Sequence, residues 1–163
     1  MGYLKYVKAL YEKPKENLGG LYKDRLIQFR KDRTITKLEN PTRIDKARSL
    51  GYKAKKGFFV VRVKVNRGGK MRPRFMGGRK TKTSRRRKVL DINYKRIAAE
   101  KAARLYNNCE VLGAYWIAQD GTHYWFEVVL GDRGILKTYP QYKNWITKAP
   151  RKILRGVTSS NKL

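Results

Sequence analysis

Acidic residues are scarce in this chain. Its 163 residues carry 12 aspartates and glutamates against 41 lysines and arginines, for a formal net charge of +29. Histidine and cysteine are scarcer still, with His123 and Cys109 the sole examples. One cysteine excludes an internal disulfide framework and a cysteine-based zinc site, and it fits a reducing compartment. One histidine means that any catalytic dyad must use His123, which sits beside a turn on the face opposite Tyr124 and Phe126, where a structural role is the better expectation. A nucleophilic Cys109–His123 pair would need both on one part of the hairpin, and the spacing puts them on different parts. A metal-dependent nuclease needs several converging carboxylates. Asp120 is explained by a turn, Asp132 by a loop, and Glu127 is expected to offset a neighbouring cation. The expectation is therefore no catalytic residue, no metal, no cofactor and no small-molecule substrate. No stretch approaches the ~18 apolar residues of a membrane span. Lysines interrupt the start M-G-Y-L-K-Y-V-K-A-L-Y, which lacks the apolar centre of a signal peptide. These absences predict a cytoplasmic protein. Charge alone leaves an anionic membrane surface open as a partner, but the best amphipathic helix is too short and tyrosine-rich to favour lipid, so no membrane partner is expected.

What the chain does have is positive charge, and it is uneven. Met1–Thr42 holds ten basic and five acidic residues, and Val89–Leu163 twelve and six. Between them, Arg43–Lys88 holds nineteen basic residues and one acid, Asp45. The density peaks over residues 67–88, where eleven of twenty-two residues are basic and none is acidic. Such a run has no apolar surface to bury against its own repulsion, so it predicts an extended arm that orders on a polyanion. Gly68-Gly69 and Gly77-Gly78 do not fit the spacing of a phosphate-binding loop. Glycine there is better explained by close approach of backbone to a sugar-phosphate surface. Charge on this scale points to nucleic acid.

The rest predicts one modest domain. Tyr3, Tyr6, Val7 and Leu10 recur at helical spacing and predict a helix to about Lys13, ended by Pro14. Leu18, Tyr22, Leu26 and Phe29 predict a second helix from about Glu16 to Arg33, with Gly19 and Gly20 weakening its first turn. For Lys5, Lys8, Arg25, Arg30 and Arg33, phosphate contact and an ordinary solvated face stay open together. A short helix over about Ile44–Leu50 should stop at Gly51. Phe59, Val61, Val63 and Val65 alternate as the core face of a strand. The opposite face, Phe58, Val60, Arg62 and Lys64, starts apolar and ends basic, as if emerging toward a ligand and aiming the arm. A helix over Tyr94–Asn107 should turn Ile97, Ala98, Ala102 and Leu105 inward. The stretch from Cys109 to Asp132 reads as a hairpin around Asp120-Gly121, expected to take the positive φ values of a primed turn. The fold class is α+β: a small mixed sheet packed with helices, plus the arm and an extended basic tail over residues 149–163. Trp116 and Trp125 belong to the core. Trp145, with Tyr139 and Tyr142 nearby, is the best candidate for stacking on bases.

Several segments resemble one family. The start M-G-Y-L-K-Y-V-K-A-L-Y, the block T-R-I-D-K-A-R-S-L-G-Y-K-A-K-K-G-F-F-V-V-R-V-K-V-N-R-G-G, the hairpin Y-W-I-A-Q-D-G-T-H-Y-W-F-E-V-V-L and N-W-I-T-K followed by R-G-V-T-S-S are similar to ribosomal protein fifteen of the archaeal and eukaryotic large subunit. The resemblance runs over nearly the whole chain. It implies a constituent of the large ribosomal subunit that binds large-subunit rRNA and neighbouring subunit proteins. Members of the family continue past R-G-x-T-S with glycine- and arginine-rich residues, where this sequence ends at Leu163. By composition, position and resemblance together, the expected RNA-binding set is Arg43, Lys46, Arg48, Lys53, Lys55 and Lys56 in the central block. It continues with Arg67, Lys70, Arg72, Arg74, Arg79, Lys80, Lys82, Arg85, Arg86, Arg87 and Lys88 in the arm. Trp145, Lys148, Arg151, Lys152 and Arg155 complete it in the tail. The competing readings are a chromatin-type DNA-binding protein and, with poor support, an RNA-processing enzyme.

Overall fold

Valine-rich alternation builds the centre of the molecule. The computed structural model describes residues 2–69, 71–73, 76–78 and 92–142. Four strands, β1 (Ile35–Leu38), β2 (Phe58–Asn66), β3 (Cys109–Gln119) and β4 (His123–Asp132), form one sheet in the order β1-β2-β4-β3. The α+β class holds. Every pairing is antiparallel, so the sheet is not mixed as expected. The hairpin and the valine strand pair as the alternation predicts, with Phe58 opposite Gly131 and Asn66 opposite His123.

Helices cover both faces of the sheet. On one lie α1 (Leu4–Leu10), α3 (Gly19–Lys31) and α4 (Ile44–Ser49), whose Tyr22, Phe29 and Ala47 join Phe58, Val60, Tyr115, Ile117 and Trp125 in one core. On the other, α5 (Tyr94–Leu105) packs Ala98, Ala99 and Ala102 against Val61, Val63, Val65, Phe126, Val128 and Leu130 in a second. Both faces of β2 are therefore buried. The small alanines let α5 sit close, and Asn93 caps it by accepting the Arg96 N–H at 2.8 Å. Leu105, expected inward, is exposed at the helix end.

Other departures have local causes. The expected second helix is two, α2 (Pro14–Asn17) and α3, because Gly19 takes a φ of +47° at the junction. The helix ahead of Gly51 ends where expected. It can lie on the sheet because β3 has no side chain at Gly113; a Cβ there would stand 2.8 Å from Leu50 Cδ2. Strand β1 has only four residues and gave no alternation to read. The basic end of β2 does not emerge toward a ligand. Arg62 is buried, pairs with Asp32 and lies 4.0 Å from the Phe29 ring centroid. Lys64 Nζ donates to the carbonyls of Arg30 at 3.2 Å and Asp32 at 3.0 Å, closing the C-terminal end of α3. Neither Asp120 nor Gly121 takes a positive φ. The turn is held instead by the Asp120 carboxylate, which accepts the N–H groups of Thr122 at 2.8 Å and His123 at 2.6 Å.

Candidate nucleic-acid interface

Expected RNA-binding residues flank both ends of β2, with Lys53, Lys55 and Lys56 just ahead of it and Arg67 just past it. The nine residues of β2 set these ends roughly 26 Å apart. At one end β2 runs out into the arm. Arg67 N–H donates to the Thr122 carbonyl at 2.7 Å and its guanidinium to the Asp120 carbonyl at 3.1 Å. The same guanidinium lies 5.4 Å from the Tyr124 ring centroid. One residue on, Gly68 N–H donates to the Tyr94 hydroxyl at 2.9 Å, and that hydroxyl lies 3.2 Å from the Gly68 carbonyl. Tyr94 opens α5, so the chain leaves for the arm and returns from it at one point. Tyr94 and Tyr124 stand 4.8 Å apart between ring centroids. This neck also uses Asp120, whose carboxylate accepts from Arg30 Nε at 3.0 Å. Burial would raise the Asp120 pKa, but hydrogen bonds from His123, Arg30 and Thr122 outweigh it and bring it down to about 2.

At the other end, residues 53–57 lead into β2 and Tyr139–Tyr142 follow α6 (Arg133–Leu136). Lys53 Nζ lies 5.2 Å from the Tyr142 ring centroid and Lys55 Nζ 5.0 Å from that of Tyr139. The two rings meet edge to face at 6.3 Å, and Tyr142 meets Phe58 edge to face at 5.4 Å. The Asp132 N–H donates to the Gly57 carbonyl at 2.8 Å and fixes the loop against the start of α6. Two segments distant in sequence thus form one platform. Lys46, Arg48, Lys53, Lys55 and Lys56 are exposed, as are Arg67 at the neck and Arg72 further along the sequence. None of these seven makes an ion pair among the described residues.

Arg43 departs from the expected set in its placement. It is 8% exposed, pairs with Asp45 at 3.1 Å and lies 4.7 Å from the Tyr11 ring centroid, so its guanidinium works inside the fold. Lys70, Arg74, Arg79, Lys80, Lys82, Arg85, Arg86, Arg87, Lys88, Trp145, Lys148, Arg151, Lys152 and Arg155 lie outside the described residues. Sequence reasoning missed Tyr94 and Tyr124, because nothing local marks a tyrosine that binds backbone some 26 positions away. Tyr139 and Tyr142 were weighed for bases; here their rings hold lysines.

The groups expected to be inert have structural partners. Glu127 is fully buried, and it is not spent on a cation as expected. It accepts the Thr42 N–H at 3.2 Å on each oxygen and the Tyr115 hydroxyl. Burial, then the Glu127 charge, raises the Tyr115 pKa far above the ordinary phenol range. Burial, then Asp132, pushes the Cys109 thiol up to about 11, which leaves it protonated and a poor nucleophile at neutral pH. Asp132 accepts the N–H groups of Gly134 and Ile135 at the start of α6. Among the described residues no group of three or more His, Cys, Asp or Glu is placed to hold a metal ion, and no helix is long and apolar enough to cross a membrane.

A fold with basic residues at both ends of its long central strand can be compared with known proteins as a whole. The profile of the family described as Ribosomal L15 matches residues 2–163. Large ribosomal subunit protein eL15 of Nanoarchaeum equitans is 46% identical over 163 residues, covering 98% of this chain and 86% of that protein. The protein of the same name from Methanococcoides burtonii is 40% identical over 164 residues, covering 95% and 81%. The match spans nearly the whole chain, and the chain belongs to the Ribosomal L15 family.

Proposed function

We propose that this protein is a structural constituent of the large ribosomal subunit, in the cytoplasm, and that it binds and stabilises large-subunit rRNA from the two ends of its sheet. The observation that carries the reading is the exposed set Lys46, Arg48, Lys53, Lys55, Lys56, Arg67 and Arg72, which no described carboxylate neutralises. Family membership supplies the ribosome as its setting. Lysines and arginines on phosphates release counterions, which favours binding entropically and makes it steeply salt-dependent. Arginine forks hold two phosphate oxygens or lie flat on an exposed base. The deep major groove of A-form RNA is closed to side chains, so what is read is helix shape and junction geometry. The arm of residues 67–88 and the tail of residues 149–163 extend this contact between RNA segments that repel one another. The role is structural, without turnover, and neighbouring large-subunit proteins are further partners.

The test is a salt titration of binding to folded large-subunit rRNA and to duplex DNA of equal length. The reading requires a steep salt slope with a preference for RNA that survives at high salt. An equal slope with no preference would mean that charge alone binds, and would favour the chromatin-type alternative.

A further inference from the structure

The first helix carries an apolar face that the fold does not use. No residue of α1 is buried. Val7 packs at the edge of a core and Tyr11, just beyond the helix, enters it. Tyr3, Tyr6 and Leu10 remain 55%, 64% and 41% exposed. Their i, i+3, i+7 spacing puts them on one side of the helix. The expected stripe therefore splits, with Val7 inward and the three larger side chains in water. A helix of seven residues is too short to hold itself by its own hydrogen bonds. Leaving two tyrosines and a leucine uncovered costs the free protein, and a ligand that covers them recovers that cost.

The surroundings of this face select the ligand. Lys5 and Lys8 are exposed on α1 and make no ion pair among the described residues. Lys5 Nζ lies 4.9 Å from the Tyr6 ring centroid. No acid occurs from Gly2 to Tyr11. An apolar protein segment would cover the rings but leave the Lys5 ammonium beside Tyr6 without counter-charge. A perfect duplex offers phosphates but hides the faces of its bases. Unpaired nucleotides offer both a flat apolar face and a charge. We propose that α1 binds unpaired nucleotides of RNA, with Tyr3 and Tyr6 each taking a base on its ring face and Lys5, which lies beside Tyr6, neutralising a flanking phosphate. This rests on the RNA-binding reading above but differs in chemistry, since the ends of the sheet take backbone charge and α1 takes bases.

The test uses the full chain and two RNA hairpins of equal length, one fully paired and one with a bulge of unpaired nucleotides. The variants are Tyr3→Ala with Tyr6→Ala, and Tyr3→Phe with Tyr6→Phe, which keeps the rings. Both side chains are exposed, so the fold should survive, as circular dichroism would check. Wild type should prefer the bulged RNA. The alanine pair should lose about ten- to hundred-fold in affinity for it, on the scale of base–aromatic stacking. Its affinity for the paired hairpin should stay nearly the same, and the phenylalanine pair should restore the preference. Equal loss on both hairpins, or no loss on either, overturns the assignment. So does protection of Tyr3 and Tyr6 from nitration by a neighbouring subunit protein but not by the bulged RNA, which would make the face a protein contact. If wild type binds neither hairpin better than duplex DNA, the RNA-binding reading itself fails, and that result is distinct from an alanine pair that matches a selective wild type.

Discussion

The two ends of the sheet organise positive charge by different means. At the neck, hydrogen bonds do the holding: Arg67 and Gly68 are tied through backbone and side-chain groups to Thr122, Asp120 and Tyr94. At the platform, rings do it: Lys53 and Lys55 lie over Tyr142 and Tyr139 and make no ion pair among the described residues. Hydrogen bonds fix a backbone direction, which a long arm needs at its root. A ring orients an ammonium and leaves its charge in place, whereas a carboxylate would cancel it. With only 12 acids in the chain, this division matters. Asp32, Asp45 and Glu110 go to Arg62, Arg43 and Arg133. These three acids thus serve buried or half-buried arginines, and Lys53 and Lys55 at the platform keep their charge unpaired among the described residues.

The largest expected effect comes from cutting the neck's cargo away. Deleting Arg72–Arg87 removes eight basic residues. The salt slope of rRNA binding should flatten by up to about 6–7 if each meets a phosphate, while the thermal unfolding midpoint barely moves. An unchanged affinity for folded rRNA would sink the arm's proposed role.

Next is Glu127→Ala, which acts on the approach to the platform. It strands the Thr42 N–H and the buried Tyr115 hydroxyl, and urea unfolding should show a loss of about 2–4 kcal/mol. Hydrogen exchange should quicken over residues 42–52 more than at residues 67–68; the reverse order would contradict the separation of the two ends. Tyr94→Phe tests the neck alone and should cost about 1 kcal/mol. It should weaken rRNA binding with the salt slope unchanged, because no charge is lost.

Replacing Tyr139 and Tyr142 with leucine should cost each lysine contact about 0.5–1 kcal/mol at an exposed site. That variant should bind rRNA slightly less well, again at an unchanged salt slope. The smallest effect is confined to acid. The folded-state pKa of Asp120 is lowered to about 2, below the ordinary carboxylate value. Its contribution to stability is therefore complete above about pH 4 and is lost as pH falls through about 2. Asp120→Asn should flatten the fall of the unfolding midpoint in that window; an unaltered acid profile would show that Asp120 is not a source of it.

Much of the fold was legible because its signals are local. Alternation along Phe58–Val65 and across the hairpin marked three of four strands, and the alanines at 98 and 102 marked the inner face of α5. What escaped depends on partners far along the chain. Nothing in R-V-K-V says that Arg62 will meet Asp32 and Phe29, or that Lys64 will close the end of α3. The same holds for Arg43, which reads as one more cation in a basic block until Asp45 and Tyr11 enclose it. The stripe of α1 misled for a related reason: helical spacing says which residues share a side, not whether anything covers that side. In the candidate interface, composition marked a basic block in which Lys46, Arg48, Lys53, Lys55, Lys56, Arg67 and Arg72 are exposed and Arg43 is not. The tyrosines that hold the lysines and pin the neck were not readable, since an aromatic gives the same signal in a core and on a surface.

The bond between Tyr94 and Gly68 also bears on the order of assembly. A segment with a free end can be reeled into a crevice end first. One whose two ends meet at a single doorway cannot, whatever path lies between them. It has to go in doubled back on itself, which needs a wider opening, or be in place before the walls close. On the function proposed above, a protein built with such a doorway suits an early place in particle construction, with RNA helices settling around it afterwards.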